Sequence, residues 1–391
     1  MRIIRLRRAA VTLALAVAAF SPAIAGATQG VSKDEIVVGT IQDLSGPLTM
    51  LGTHFRNGSQ MRFDEINEQG GIHGRKIRFV VEDSGYDPKK ALLATQKMLQ
   101  KDQVFAMMNN LGSAVVMATM QSILDKHVLH LFPAAPIPPT YEPLHKLKFG
   151  LHTPYSLTTP IGAKWLIQQH GFKKVGILYQ DDDYGYDVLK GLESALHDLG
   201  MPLCDKASYK RGATDFSSQI SKLRASNCDF VVLGTVVRET LGAVGTARKM
   251  GWNVPMMVSP AGYTSQIHKL GGAAMEGLYG VSLTPEPYAE GAGKQLTAWI
   301  DSYKKRFNTE PTTWAVMAYA SADLFVMAAQ KAGPKLTAEG FASAMEQVSR
   351  TRDFFGSPNY TFSASDHLGN RSARVAQIRG GKWENLTDYM K

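Results

Sequence analysis

The sequence predicts an α/β protein of two lobes, each a doubly wound parallel sheet with helices on both faces. Three observations predict it. Short apolar runs alternate with amphipathic helical stretches from about residue 30 onward, and the alternation starts afresh after Tyr155. The chain has 391 residues, 44% hydrophobic and 20% charged, enough for two separate cores. Alternating β and α elements make successive strands parallel, and ligands then collect outside the carboxyl ends of those strands.

The opening 27 residues, "MRIIRLRRAAVTLALAVAAFSPAIAGA", read as a secretory signal. Arg2, Arg5, Arg7 and Arg8 form the basic start, Ala9 to Phe20 the apolar stretch, and Ala23 and Ala25 suit a signal peptidase. The apolar run is too short for a stable anchor, and no Cys follows to carry a lipid, so the mature protein is expected to be free and soluble. Those four arginines also carry part of the formal charge of +9, and without them 9 − 4 leaves +5. The remaining Lys and Arg form no blocks, which argues against a nucleic-acid partner. A mildly basic surface suits anionic ligands, or is simply a solvated face.

In the first half, "IVVGTI", "KIRFVVED", "QVFAMMNN" and "VLHLFPA" are strand-like, and "GGIHGRK" is a strand-entry turn. Asp87 and Pro88 open a helix as cap and first-turn proline, with Ala91, Leu92, Thr95, Met98 and Leu99 on one face. In the second half, "KVGILYQ", "LCDKASY", "DFVVLGT" and "PMMVSP" alternate with helices, one of which spaces Leu189, Leu192, Leu196 and Leu199 by threes and fours before Gly200. The Met-rich "MAYASADLFVMAAQ" reads as core. Cys204 and Cys228 each precede a strand-like run. If a third strand lies between those two, their Cα atoms stand about 9.5 Å apart, beyond disulfide reach unless the loops bend inward.

Two strand ends suggest a site. "NNLGSAVV" carries Asn110 and then Ser113 at a helix start, where a hydroxyl and free N–H groups make a small anion site or a plain helix cap. "PAAPIPPTYE" packs four prolines into ten residues, so the strand before it must stop abruptly in a stiff turn. That turn leaves backbone groups of Ala134 and Ala135 available to a ligand, or is only a rigid surface loop. Nothing suggests catalysis or metal. Ten histidines include no H-x-x-x-H or H-E-x-x-H pair, no cofactor is implied, and Asp181, Asp182 and Asp183 suit a helix N-terminus.

"IVVGTIQDLSGPLTMLGTHFRNGSQMRFDEINEQGGIHGRKIRFVVEDSGYDPKKA" resembles the opening of the leucine/isoleucine/valine-binding protein family of periplasmic receptors for ABC importers. The likeness continues through "YQDDDYGYDVLKGL", "DFSSQISKLRASNCDFVVLG" and "AMEGLYG". It implies a type I periplasmic binding fold, two lobes joined by a three-strand hinge that closes on the ligand. The expected lobes are 30–152 with 283–366, and 153–282 with 367–391. A monomeric periplasmic protein that hands a small carboxylate to an inner-membrane ABC permease is the implied role.

The resemblance also implies a site. Ser113 matches the serine that holds an α-carboxylate, and Ala134 and Ala135 match the small-residue turn, with Pro136 where a Thr is usual. Tyr184 matches an aromatic that packs on the ligand, and Leu51 stands at a lid position. On the ammonium side the acidic position reads Ala261 and an aromatic position reads Val236, with Arg238 two residues on. A buried ammonium without an acid is strongly penalised, so the expected ligand keeps the carboxylate and lacks the amine. Tyr184 and Tyr263 are expected to sandwich a flat ring and Arg238 to neutralise a carboxylate, which points to benzoate-, hydroxybenzoate- or phenylpropanoid-type acids. The alternatives are a branched-chain or other amino-acid receptor and a ligand-sensing module for signalling. An exported hydrolase or dehydrogenase lacks a nucleophile–base pair and a cofactor loop here.

Overall fold

The computed structural model describes residues 28–391, so the signal-peptide reading lies outside the described residues. The first sheet holds β1 (Glu35–Gln42), β2 (Lys76–Asp83), β3 (Ala106–Met108), β4 (Leu129–Leu131) and β5 (Lys148–Phe149). Its order is β2-β1-β3-β4-β5 and every pairing is parallel, as the near-continuous apolar strands require. Helices α1 (Thr49–Glu68), α2 (Pro88–Gln100) and α3 (Ser113–Asp125) connect these strands. Asp87 caps α2 by accepting from the N–H groups of Lys89 and Lys90, and Ala91, Thr95, Met98 and Leu99 are buried as their spacing predicts.

After α4 (Tyr155–His170) the pattern repeats with β6 (Val175–Gln180), α5 (Asp183–Asp198), β7 (Lys206–Tyr209), α6 (Ser217–Ala225), β8 (Phe230–Gly234), α7 (Val237–Lys249), β9 (Met256–Val258), α8 (Ser265–Gly271) and β10 (Tyr279–Ser282). The chain then returns to the first lobe with α9 (Lys294–Phe307), α10 (Thr313–Ala332), α11 (Ala338–Met345) and a small β11–β12 pair (Ser349–Arg350, Tyr360–Thr361). Helix α10 packs along α1, and its Met-rich stretch is almost wholly buried, each buried Leu or Phe contributing about 1.5–3 kcal/mol. Finally β13 (Arg374–Arg379) and β14 (Lys382–Asn385) join the second sheet, whose order is β14-β13-β10-β9-β8-β6-β7.

The second sheet departs from an all-parallel expectation. β13 runs antiparallel to β10, and a two-residue Gly380–Gly381 turn at positive φ then folds the tail back so that β14 pairs antiparallel with β13 as a hairpin. Three passages link the sheets. The chain leaves β5 for α4, leaves β10 for α9, and returns past Leu368, which bridges in parallel to Gly150, into β13. Among the described residues no helix is long and apolar enough to cross a membrane.

At the cysteines the loops do bend inward. β6 does lie between β7 and β8, yet Cys204 and Cys228 form a disulfide with Cα atoms 6.0 Å apart. Both cysteines sit on the approach to their strands, where the loops converge over the start of β6. Residue 176 in that middle strand is glycine, and a Cβ there would lie 2.8 Å from Cys228 Sγ. The bridge crosses above β6 because that strand presents no side chain at the crossing point.

Candidate functional site

The carboxyl ends of β1, β3 and β4 in one lobe face those of β6, β8 and β9 in the other. Between them lies a narrow crevice, a cavity of about 50 Å³. Its first-lobe wall begins at α1. The Asp43 carboxylate accepts from the N–H groups of Ser45 at 3.3 Å and Leu48 at 2.7 Å, fixing the turn that aims Leu48, Leu51 and Phe55 inward.

Helix α3 supplies the polar point of the crevice. Gly112 holds the N-cap position with φ of +97°, so its carbonyl accepts from Val116 at 2.9 Å without a capping side chain. Ser113 is therefore not the cap. Its Oγ is buried and has no partner among the described residues, although it lines the crevice. The N–H groups of the first turn, Ser113 to Val115, have no acceptor within the helix and lie at the positive end of its dipole. Gly112→Ala would place a Cβ 2.3 Å from Tyr86 Cε2 and strain a backbone at positive φ. We expect it to lower stability by about 2–3 kcal/mol and ligand affinity about tenfold, read by thermal denaturation and calorimetry.

The proline turn answers only part of the expectation placed on it. The Ala134 N–H donates to the Asn110 carbonyl at 2.9 Å and the Ala134 carbonyl accepts from Gly112 at 3.2 Å, so both are spent on joining the two strand ends. Ala134 still lines the crevice, whereas Ala135 is fully buried outside it, with its carbonyl taken by Ile137 at 2.8 Å. Pro136 contributes its ring to the wall and its carbonyl accepts from the N–H of Tyr155, tying the turn to the first passage between lobes.

In the second lobe, Asp182 caps α5 by accepting from the N–H groups of Tyr184 at 3.1 Å and Gly185. Burial pushes its carboxyl up, against the pull of Gln180 and Arg211. The cap holds Tyr184 in the crevice wall, its hydroxyl donating to the Thr235 carbonyl at 3.1 Å and lying 2.6 Å from Ser259 Oγ. Its ring meets Tyr155 edge-on, with centroids 4.8 Å apart. Val236, the N-cap of α7, and Ala261, in the turn Pro260–Gly262, complete this side.

Like Ala135, three further expected site residues do not line the crevice. Arg238, the second residue of α7, is half exposed, pairs with Glu239 at 2.8 Å and lines a separate groove on the rim. Tyr263 is buried against Trp383, ring centroids 4.8 Å apart, because the Pro260–Gly262 turn rotates it into the core of the second lobe. Asn110 joins neighbouring strand ends: its Oδ1 accepts from the N–H of Ile41 at 3.0 Å, and it does not line the crevice.

Other wall residues were not anticipated. Tyr86 accepts from Gln180 Nε2 of the other lobe at 3.0 Å, while Arg211 donates to its carbonyl at 3.0 Å and stacks over its ring. Tyr155 and His152 come from the first passage between lobes, and Trp314 and Met317 from α10. Burial lowers His152 to about 3, so its imidazole is neutral and serves as a polar contact without charge. Among the described residues, no acidic or basic side chain other than this neutral histidine lines the crevice. Chemically it offers aromatic and aliphatic walls, the unpaired hydroxyl of Ser113 beside the α3 N-terminus, and, among the described residues, no acidic side chain.

The family model described as periplasmic binding protein matches residues 35–382. The leucine-, isoleucine-, valine-, threonine-, and alanine-binding protein of Pseudomonas aeruginosa is 25% identical over 312 residues, 80% of this chain and 82% of that one. Among solved structures, a fatty acid ABC transporter substrate-binding protein from Thermomonospora curvata superposes with a TM-score of 0.82 at 25% identity, covering 93% of this chain and 94% of that one. An ABC transporter solute-binding protein from R. palustris in complex with benzoate gives 0.80 at 17% identity, covering 91% and 97%, a likeness of fold. The matching family model, the two parallel-sheet lobes and the crevice between their strand ends agree, and the chain belongs to the type I periplasmic binding proteins of the leucine/isoleucine/valine-binding family.

Proposed function

We propose that this protein is a receptor that captures a small apolar monocarboxylate, an aromatic acid of benzoate or phenylpropanoid type, and delivers it to an ABC importer by closing its lobes on the ligand. One observation carries the reading: the crevice pairs an orphaned buried hydroxyl at a helix N-terminus, Ser113 Oγ, with a complete lack of acidic side chains. Carboxylate oxygens satisfy that hydroxyl and the free N–H groups of α3. An α-ammonium finds Ala261 where an acid would be needed and remains a buried unpaired charge. Tyr155, Tyr184 and Trp314 suit a flat ring.

The similarity to the Thermomonospora curvata protein favours a second reading within the same chemistry, an aliphatic acid. Branched-chain amino acids remain the competing ligands, since a relative is named for binding them. A thermal-shift screen separates these, because a ligand that binds only the folded state raises the melting temperature. Aromatic or aliphatic monocarboxylates are expected to shift it and leucine, isoleucine and valine to leave it in place. A larger shift with the amino acids overturns the reading, as does catalysed loss of any ligand. Ser113→Ala is expected to weaken carboxylate binding by about 1–3 kcal/mol in calorimetry, and an unchanged affinity would remove Ser113 from the site.

A further inference from the structure

A second, largely apolar cavity, a groove of about 350 Å³, opens on the rim beside the crevice. Leu48 and Leu51 line both. They stand between the two spaces as side chains of the first lobe, and across from them consecutive residues of the second lobe divide the same way, Val236 facing the crevice and Val237 the groove. Beyond this shared wall the groove is walled by Met50, Leu241 and Leu270, and Leu270 is 60% exposed and Met50 37%. The charged side chain on the groove, Arg238, is engaged by Glu239. Exposed apolar side chains gathered on both lobes beside a ligand crevice need an occupant.

We infer that the groove is a tail subsite: it receives the distal hydrocarbon of a carboxylate too long for the crevice, with the chain passing between Leu48 and Leu51 on one side and Val236 and Val237 on the other. This rests on the carboxylate reading above and extends it from compact aromatic acids to unbranched or aryl-alkyl acids. The occupant is the ligand's own tail because the groove adjoins the crevice across the shared Leu48 and Leu51 and is lined mainly by apolar side chains. Both walls come from different lobes, so a tail lying there also bridges them in the closed form.

Calorimetry on the mature protein with straight-chain acids from butanoate to dodecanoate, and with benzoate as the short reference, tests this. Affinity is expected to keep rising along the series by up to about fourfold per added methylene. Leu270→Asp and Met50→Ser, both at exposed positions that leave the cores untouched, are expected to weaken dodecanoate about tenfold or more while benzoate and butanoate are unchanged. An affinity that peaks at a short chain and then falls, or groove variants that leave dodecanoate binding unaltered, overturns the tail subsite alone. Failure of every acid in the series, benzoate included, overturns the carboxylate reading with it.

Discussion

Ala261→Asp is expected to abolish carboxylate binding. The residue sits in the Pro260–Gly262 turn and lines the crevice, where no Lys or Arg among the described residues lines the wall to receive a new anion. Two like charges about 4 Å apart at an effective dielectric of about 20 repel by about 4 kcal/mol, close to a thousandfold in affinity. The same substitution supplies the partner that an α-ammonium lacks, so leucine or phenylalanine binding should strengthen as benzoate binding disappears. Paired titrations of wild type and variant check both arms. A variant that retains benzoate affinity within about tenfold would mean that residue 261 does not face the bound acid.

Stability is expected to fall steeply as pH drops below about 6.5. Three histidines are buried neutral: burial lowers His54 to about 4 and His130 and His152 to about 3, with Lys269 and Lys148 adding to the effect at His54 and His130. Each has a folded pKa below its unfolded value of 6.5, so the unfolded chain binds more protons between the two and stability is lost as pH falls through that window. The gross effect is on the order of 3–5 kcal/mol per histidine. Glu286 works in the other direction. Burial pushes it from 4.5 up to about 7 despite N–H donors from Ser265 and Thr313, so its term weakens the fold as pH rises between those values. Buried Asp182 and Asp187, also raised, add to that opposing side. Three histidines outweigh these terms, and the melting temperature should peak near neutral pH. His130 gives the sharpest check, since both ring nitrogens are buried without partners. His130→Leu removes that unsatisfied pair and should raise the melting temperature at pH 5 more than at pH 7.5; an equal change at both would contradict the assignment.

The strands were legible because buried parallel strands are continuous apolar runs, and "IVVGTI", "KVGILYQ" and "DFVVLGT" fall on β1, β6 and β8. The capping pattern of Asp87–Pro88 was legible for the same local reason. The site was half legible. Ser113, Ala134, Tyr184, Val236, Ala261 and Leu51 follow strand ends or open a helix, and all line the crevice. Arg238 and Tyr263 lie off the crevice wall, each two residues beyond a wall residue, Val236 and Ala261, and no composition signal reports how a side chain turns over that distance. Trp314 was hidden inside a helix that reads as core, and His152 and Tyr155 sit in a passage whose position against the crevice exists only in three dimensions. "HTPY" at 152–155, two aromatic-type side chains flanking a proline at the junction of the lobes, was the available hint. The disulfide was open in the sequence because strand spacing sets a distance between strands and not between the loops that lead into them.

The most direct measurement compares 3-phenylpropanoate with phenylalanine, two ligands that differ by the α-ammonium alone, in side-by-side calorimetric titrations of the mature protein. A crevice that cradles a carboxylate and offers an ammonium no acid binds 3-phenylpropanoate at least about a hundredfold more tightly. Equal affinities, or tighter binding of phenylalanine, would contradict it.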